Sequence, residues 1–495
     1  MPGESPNTAN DRQWTSHLIF TTVVACSASL QYGYHISELN GPSAVLSCQS
    51  NLEVPNFPYE ESWLSIHGLS KCIEMNDQGL GFVTSIFSIG GLVGSLYAGS
   101  LSDSIGRKKS SAFNAIVFII GSLIEFYANS VNSLAFGRFV SGLGAGCSIV
   151  VTPLLINEIS PNGLKGFLGS MNQVSINLGI LLTQVLAISW ANSFQWRYLL
   201  LTGAGLGVLN LLLVWFVDES PKWLHRKGDN VQARLITSKL RGGDTVLAEE
   251  EVRGWSSYPG GNGGDDDNDD ENSPLSRNNQ DNQLTKSITL LNYVKDPIYL
   301  NSLISVTAIM AGQQFCGINS IFFYGVKTIR EILPKYAVTI NCLISLGNAV
   351  ITFLAAPLTD RLGRVPCLLL SVSIMGVASI LNSIGILQSL PLITIISTFI
   401  YVGFFAIGLG PIPFLIVPEV TQVEARGAAQ SYGTTINWIA TFLVGYLFPI
   451  LQSYLGGYVY LIFASVCALF GSFVYFKVPE TKGKTYEQVW GLRVD

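Results

Sequence analysis

Twelve mostly apolar stretches succeed one another along the 495-residue chain, at 17–37, 78–101, 111–129, 133–157, 168–190, 197–217, 299–324, 336–358, 366–386, 391–417, 429–451 and 456–476. Each is close to the roughly 20 residues that a helix needs to cross a bilayer. Short polar segments separate them, except where 218–298 parts the sixth from the seventh. The pattern predicts an all-α membrane protein with six spanning helices in each half, because backbone in lipid must satisfy its own hydrogen bonds. The polar punctuation also repeats. Asp103-Ser-Ile-Gly106-Arg107 follows the second stretch and Asp360-Arg-Leu-Gly363-Arg364 the eighth, both reading DxxGR as a charged turn. Glu158 precedes Lys165 by the spacing that parts Glu419 from Arg426, and Glu219-Ser-Pro-Lys is echoed by Glu480-Thr-Lys. Asp103 and Asp360 lie 257 residues apart, while Glu158 and Glu419, like Glu219 and Glu480, lie 261 apart. Recurrence at so constant an offset predicts two homologous halves in parallel orientation.

Only 12% of the residues are charged, against 48% hydrophobic, whereas a soluble domain carries about a quarter charged. Arg107, Lys108, Lys109, Lys165, Arg361, Arg364, Arg426 and Lys477 all fall on the side of the 218–298 loop, and that excess of short-loop cations marks the cytoplasm. An even number of spans puts both termini there. The chain then divides into a tail, 1–16, a six-helix half, 17–217, the loop, 218–298, a second half, 299–476, and a tail, 477–495. The first stretch lacks a basic start and a small-residue cleavage site, so it is expected to be retained as a helix. Within the loop, 222–257 and 287–297 suit short amphipathic helices, while the acidic, Asn-rich and Gly-rich insert 258–286 is predicted to be disordered. Most of the net charge of −5 sits in that insert, and no basic patch points to nucleic acid.

Six of the eight cysteines lie within predicted spans, but Cys48 and Cys72 share the noncytoplasmic loop 38–77 and are a candidate disulfide for an oxidising compartment. The polar residues inside spans carry the functional reading. Gln313-Gln314-Phe-Cys-Gly317-Ile-Asn319 sets three carboxamides in an apolar setting. Polar groups at membrane depth are costly and face a cavity or a partner helix. Carboxamides both donate and accept, as sugar hydroxyls do. Gln173, Asn348 and Asn437 add the same chemistry, and Trp438 and Phe414 offer flat apolar faces; the alternative for any one amide is a hydrogen bond between helices. Glu125, near the noncytoplasmic end of the third span, is expected to snorkel to the interface, and Arg138 and Arg197, within the first turns of theirs, are assigned structural roles as snorkelling helix-end cations. Nothing in the sequence suggests a nucleophile with its base, a metal-ligand cluster or a nucleotide loop, so no enzyme activity, metal or cofactor is expected.

These segments resemble the sugar porters of the major facilitator superfamily, the group that includes animal facilitative glucose carriers and fungal hexose transporters. The resemblance rests on Gln31-Tyr-Gly-Tyr34, the first DxxGRK loop, Pro153 through Pro161, Glu219-Ser-Pro-Lys222, the QQxxGIN stretch from Gln313, the second DRLGR loop, Gly410-Pro-Ile-Pro413, Pro418-Glu419, Asn437-Trp438 and Pro479 to Gly483. It implies a sugar site of Gln173, Gln313, Gln314, Asn319, Asn348 and Asn437, with Phe322, Phe405, Phe414 and Trp438 alongside. Six positions, in four places, depart from the family pattern. His35 stands where proton-coupled members have Asp and uniporters often have Asn; Met310, Ala311 and Gly312 replace the polar residues before QQxxGIN; Ala406 replaces Glu; Phe414 replaces Trp.

The reading is a sugar carrier, with a hexose as cargo, working by alternating access between its halves. His35, with an ordinary pKa of about 6.5, leaves uniport and proton coupling both open. Asp103, Arg107, Glu158, Lys165 and Glu219, with Asp360, Arg364, Glu419, Arg426 and Glu480, are expected to form the cytoplasmic gate. Besides sugar, protons and the bilayer are the expected partners, and a monomer the working unit. A sensor or sorting factor of the same fold, or a carrier of another polyol or small polar metabolite, is the alternative. The acidic insert and His35 favour the vacuolar over the plasma membrane by likeness to fungal relatives.

Overall fold

A computed structural model describes residues 14–50, 59–256, 288–355, 358–484 and 486–491, which fold into helices and turns without strands. The acidic insert 258–286 lies outside the described residues. The first half contributes helices Ser16–Ser37, Asp77–Ile105, Arg107–Tyr127, Val131–Ile159, Lys165–Trp190 and Trp196–Trp215, the first to sixth spans. The second contributes a seventh span broken into Leu300–Phe315 and Ile318–Arg330, an eighth, Ala337–Ala355, and a ninth, Arg364–Leu387. A tenth, broken into Pro391–Ile407 and Ile412–Glu419, an eleventh, Arg426–Leu455, and a twelfth, Val459–Lys477, complete it. Among the described residues nine stretches are long and apolar enough to cross a membrane, the last of them, Arg426–Lys477, holding two helices. The two spans that fall short are the first, diluted by Gln31, His35 and several hydroxyls, and the broken seventh, which carries the carboxamides.

The expected charged turns prove shorter than the sequence suggested. The second span stays helical through Ile105, so Asp103 sits in its last turn and Gly106 alone makes the break. Gly106 and Gly363 have φ of 96° and 101°, a region that costs a side chain and suits glycine. In the loop between the sixth and seventh spans, Pro221–Arg226, Asn230–Leu240, Thr245–Ser256 and Leu290–Lys295 are helical, as the mixed polarity predicted.

Spans one and five touch backbone to backbone, the contact that small residues permit in membranes. A Cβ on Gly33 would lie 1.9 Å from the Ile176 carbonyl oxygen, and one on Gly179 1.9 Å from that of Leu30. This fixes Gln31 and His35 relative to Gln173. Gly179→Val is therefore expected to lower the apparent melting temperature and the monodisperse yield in detergent, overpacking costing at least about 1–3 kcal/mol; an unchanged melting curve would refute this contact.

The noncytoplasmic ends of the halves are tied together. Asn40 Nδ2 donates to the carbonyls of Ile321 and Phe322 at 3.1 and 3.0 Å, and its Oδ1 accepts from Val326 N at 2.9 Å. Ser37 Oγ donates to Phe322 O, and Lys327 pairs with Asp77. Cys48 and Cys72 are bonded, with Cα atoms 5.3 Å apart, in the loop that covers this end.

Candidate functional site

The breaks in the seventh and tenth spans bring polar side chains and free backbone carbonyls to the same depth. Gln313 Nε2 donates to Leu409 O at 2.7 Å and to Gly410 O at 3.1 Å, two carbonyls released where the tenth span breaks. Gln313 Oε1 accepts from Asn437 Nδ2 at 2.7 Å, and Gln314 Nε2 reaches Asn437 Oδ1 at 3.2 Å. Asn319 Nδ2 donates in turn to Gln314 Oε1. Four of the predicted amides thus form one connected network, all nearly buried. Gly312, one of the departures, has its reason here, since a Cβ would lie 2.5 Å from the Phe470 ring.

Gln173 and Asn348 stand outside that network. Gln173 Nε2 lies 3.5 Å from Asn177 Oδ1, and Asn177 Nδ2 donates to Thr352 Oγ1 across the halves at 2.7 Å. Asn348 is 2% exposed, and its Oδ1 has no hydrogen-bond partner. Trp438 is also buried with Nε1 unpartnered, its ring reaching the first half at Tyr32, Phe87 and Gly91. Two buried polar atoms left open, one acceptor and one donor, are costly unless something fills them. Phe322 and Phe405 meet edge to face at 6.2 Å, whereas Phe414 is half-buried against the second half's apolar core.

At the cytoplasmic ends the two halves repeat one construction. Arg107 Nε and Nη2 hold Glu158 in two hydrogen bonds of 2.8 and 2.9 Å, while Nη1 reaches Asp103 and Ser102 O. Glu219 caps the third span, accepting from Arg107 N at 2.7 Å, and Ser220 Oγ donates to Glu158. Arg364 holds Glu419 at 3.0–3.2 Å, Glu480 accepts from Arg364 N and Val365 N at 2.9 Å, and Thr481 Oγ1 donates to Glu419. Burial pushes the Glu480 carboxyl up, but N–H groups of Arg364, Lys482, Val365 and Thr481 outweigh it and hold it below the ordinary carboxylate range. These bonds join helices of the same half. Lys165 opens the fifth span, and Arg426 opens the eleventh exposed, turned to Thr421 O at 3.5 Å. The Asp360 side chain lies outside the described residues.

The expectation of snorkelling at Glu125, Arg138 and Arg197 is wrong, for all three are 0% exposed. Packing of the third, fourth and sixth spans turns them inward, where each finds polar partners. Arg197 carries the carbonyls of Phe126, Ala128 and Ser70. Arg138 joins a buried group with His35, Glu38 and Glu125. Its Nη1 donates to Glu38 and, at 2.9 Å, to His35 O, and its guanidinium lies 4.4 Å over the Phe87 ring. His35 Nδ1 is 3.0 Å from both Glu38 oxygens, and Ser141 Oγ donates to Glu125 Oε1 at 2.6 Å. Glu38 was hidden in the sequence because it falls one residue past the first apolar stretch. Asn177, four residues after Gln173, was legible as the same helix face.

Residues 21–490 match the family model described as "Sugar (and other) transporter". A "probable metabolite transport protein" of Saccharomyces cerevisiae is 48% identical over 96% of this chain and 95% of its own. The same yeast's "vacuolar protein sorting-associated protein 73" is 40% identical over 96% of both. Among solved structures, the xylose transporter XylE from E. coli, in a partially occluded inward-open conformation, superposes with a TM-score of 0.74 at 23% identity, covering 95% of this chain and 100% of that one.

Proposed function

The chain belongs to the sugar transporter family of the major facilitator fold, and from that premise we propose that it carries a hexose through a site of Gln173, Gln313, Gln314, Asn319, Asn348 and Asn437. It is an integral multi-pass membrane protein that moves a sugar by alternating access. Phe322, Phe405, Phe414 and Trp438 would flank the ring. The observation that carries the site is the pairing of a connected amide network with two open buried atoms, Asn348 Oδ1 and Trp438 Nε1. A hydroxyl that donates and accepts satisfies both kinds of atom. The contacts of Asn40 and Lys327 close the noncytoplasmic end, consistent with a site reached from the cytoplasm in this conformation. The paired ion networks brace each half at its cytoplasmic face and serve as the gate of a monomeric carrier whose halves are 17–217 and 299–476. A vacuolar membrane fits the name of the second yeast relative better than the plasma membrane does.

That same name keeps a sorting or sensing role as the second reading. Uptake of a panel of hexoses, pentoses and polyols by proteoliposomes decides between them. Saturable flux of a hexose is expected; specific binding without flux of any of them would favour the second reading and defeat the first.

A further inference from the structure

Away from the sugar site, the second half carries an open groove on its lipid-facing side. It runs between the ninth and twelfth spans with a volume of about 470 Å³, walled by Ser373, Gly376 and Ile380 on one side and Ala464, Ala468 and Ser472 on the other. Val372 and Cys467 form a buried floor, while Val377, Tyr475 and Phe476 stand exposed at its edges. The duplication shows what opens it. Counted back by the offsets that relate the halves, 257 for the ninth span and 261 for the twelfth, Ser373, Gly376 and Ser472 stand where the third and sixth spans have Ile116, Ile119 and Leu211. There Ile119 fills the space, its Cγ1 lying 2.7 Å from where a Cβ on Gly207 would stand.

The groove opens on the bilayer, so its occupant must present hydrocarbon. From Leu369 to Ile380, both lining it, the ninth span rises about 16 Å at about 1.5 Å per residue, close to half of the roughly 30 Å hydrocarbon core. The ninth span starts at the cytoplasmic face, so the groove suits one acyl chain of that leaflet. Its headgroup end is cationic. Glu480 accepts from Arg364 N and Val365 N, which brings 477–482 across the start of the ninth span. Lys482 Nζ donates to Arg361 O at 2.8 Å, and Arg361, Lys477 and Lys482 are all exposed at this mouth. The same offsets put Ser104, Phe216 and Pro221 at the equivalent places of the first half, where Lys108 is turned to Trp215 O instead. Open groove and cationic mouth thus occur together, on one half.

We propose that this groove binds an anionic phospholipid of the cytoplasmic leaflet, one acyl chain lying between the spans and the phosphate set against Arg361, Lys477 and Lys482. A sterol would leave those cations unmet. A second copy of the chain, packed about a two-fold axis, would bring the same cations against them. The site stands apart from the sugar reading, but its effect reaches the amides, because the twelfth span backs the break in the seventh. A Cβ on Gly312 would lie 2.5 Å from the Phe470 ring and one on Gly317 2.6 Å from that of Phe463, on either side of Cys467 in the groove floor. A lipid seated in the groove braces the twelfth span against the break that carries Gln313 and Gln314.

Titration of the delipidated full chain with dioleoyl phosphatidylserine and, separately, dioleoyl phosphatidylcholine tests the site without any sugar. Native mass spectrometry reads binding, and the apparent melting temperature reads its effect. Phosphatidylserine is expected to bind in preference and to raise the melting temperature, as a ligand of the folded state does. Lys477→Gln should weaken phosphatidylserine about fivefold, as should Lys482→Gln, and both should leave phosphatidylcholine unchanged. Ser373→Ile with Ser472→Leu, which gives the groove the first half's side chains at two exposed positions and keeps every charge, should abolish retention of phosphatidylserine. Equal binding of the two lipids, or phosphatidylserine binding unchanged in these variants, would overturn the proposal. So would displacement of phosphatidylserine by cholesterol that binds Lys477→Gln as well as the parent, or a dimer that the filled groove dissolves. In proteoliposomes, phosphatidylserine should speed sugar uptake by the parent and not by the filled variant; uptake indifferent to it would overturn the bracing of the seventh span. The full binding pattern with no flux of any sugar would defeat the transport reading and uphold the lipid site.

Discussion

Arg107→Ala should destabilise the protein by about 3–5 kcal/mol, the cost of breaking a buried ion pair by removing one partner, whereas Arg364→Ala should cost roughly 1–2 kcal/mol, between the buried and the exposed limits. The two arginines occupy equivalent positions and hold equivalent glutamates, so the difference comes from their surroundings. The Arg107 side chain is 1% exposed and that of Glu158 8%, while Arg364 and Glu419 are 15% and 27% exposed. Deleting Arg107 strands Glu158 with Ser220 and the half-exposed Arg226. It also strips the third span of a side chain that reaches back to Ser102 O and Asp103. Apparent melting temperatures of the two variants in one detergent, and labelling of a cytoplasmic thiol reporter, measure this. Equal shifts would show that burial does not set the difference. Unchanged transport and reporter accessibility in both would remove the networks from the gate. The Glu480 cap adds a pH signature. Its carboxyl is held below the ordinary range, so its contribution is complete above the unfolded value and is lost as pH falls through the lowered one.

Hydropathy made the twelve spans legible because bilayer thickness dictates their length, and the offset of Asp103, Glu158 and Glu219 from their counterparts made the duplication legible. The parity runs finer than the repeated motifs suggested, down to Ser220 and Thr481, each donating a hydroxyl to its own glutamate. The amides were visible as polar residues in apolar runs. Their partners were not, since a linear pattern does not say which helices meet. Gln313, Gln314, Asn319 and Asn437 bond to one another, while Gln173 and Asn348 lie on the fifth and eighth spans, which Asn177 and Thr352 join. Glu125 misled for the same reason. Four residues from the end of the predicted stretch, it reads as interfacial by position, but helix rotation turns it towards Ser141 and Arg138 instead of lipid. Glu38 and Arg138 lie 100 residues apart in sequence, and only the packing of the first span against the fourth joins them.

Asn348→Ala and Asn437→Ala should separate binding from architecture. Both residues are buried amides in the proposed sugar site, yet their hydrogen bonds differ. Asn437 donates to Gln313 Oε1 and Met310 O and accepts from Gln314 Nε2. Its removal leaves buried partners unsatisfied at about 1–3 kcal/mol, so the melting temperature should fall along with transport. Asn348 Oδ1 has no partner to lose. Truncating it relieves an unpaired acceptor, so stability should hold or rise slightly, while a sugar that used that oxygen should lose about 1–3 kcal/mol of binding. That corresponds to about a 5–150-fold rise in the half-saturating sugar concentration. Zero-trans uptake by proteoliposomes beside thermal unfolding of the same preparations makes the comparison. A stable Asn348→Ala carrier with unchanged concentration dependence would place that oxygen outside the sugar's reach. If Asn437→Ala weakened transport with no loss of stability, the network would be poised for ligand more than for helix contact. The decisive pattern is the split, with affinity lost alone at Asn348 and together with stability at Asn437. A purely structural set of amides would show stability loss at Asn437 and no change of affinity at Asn348.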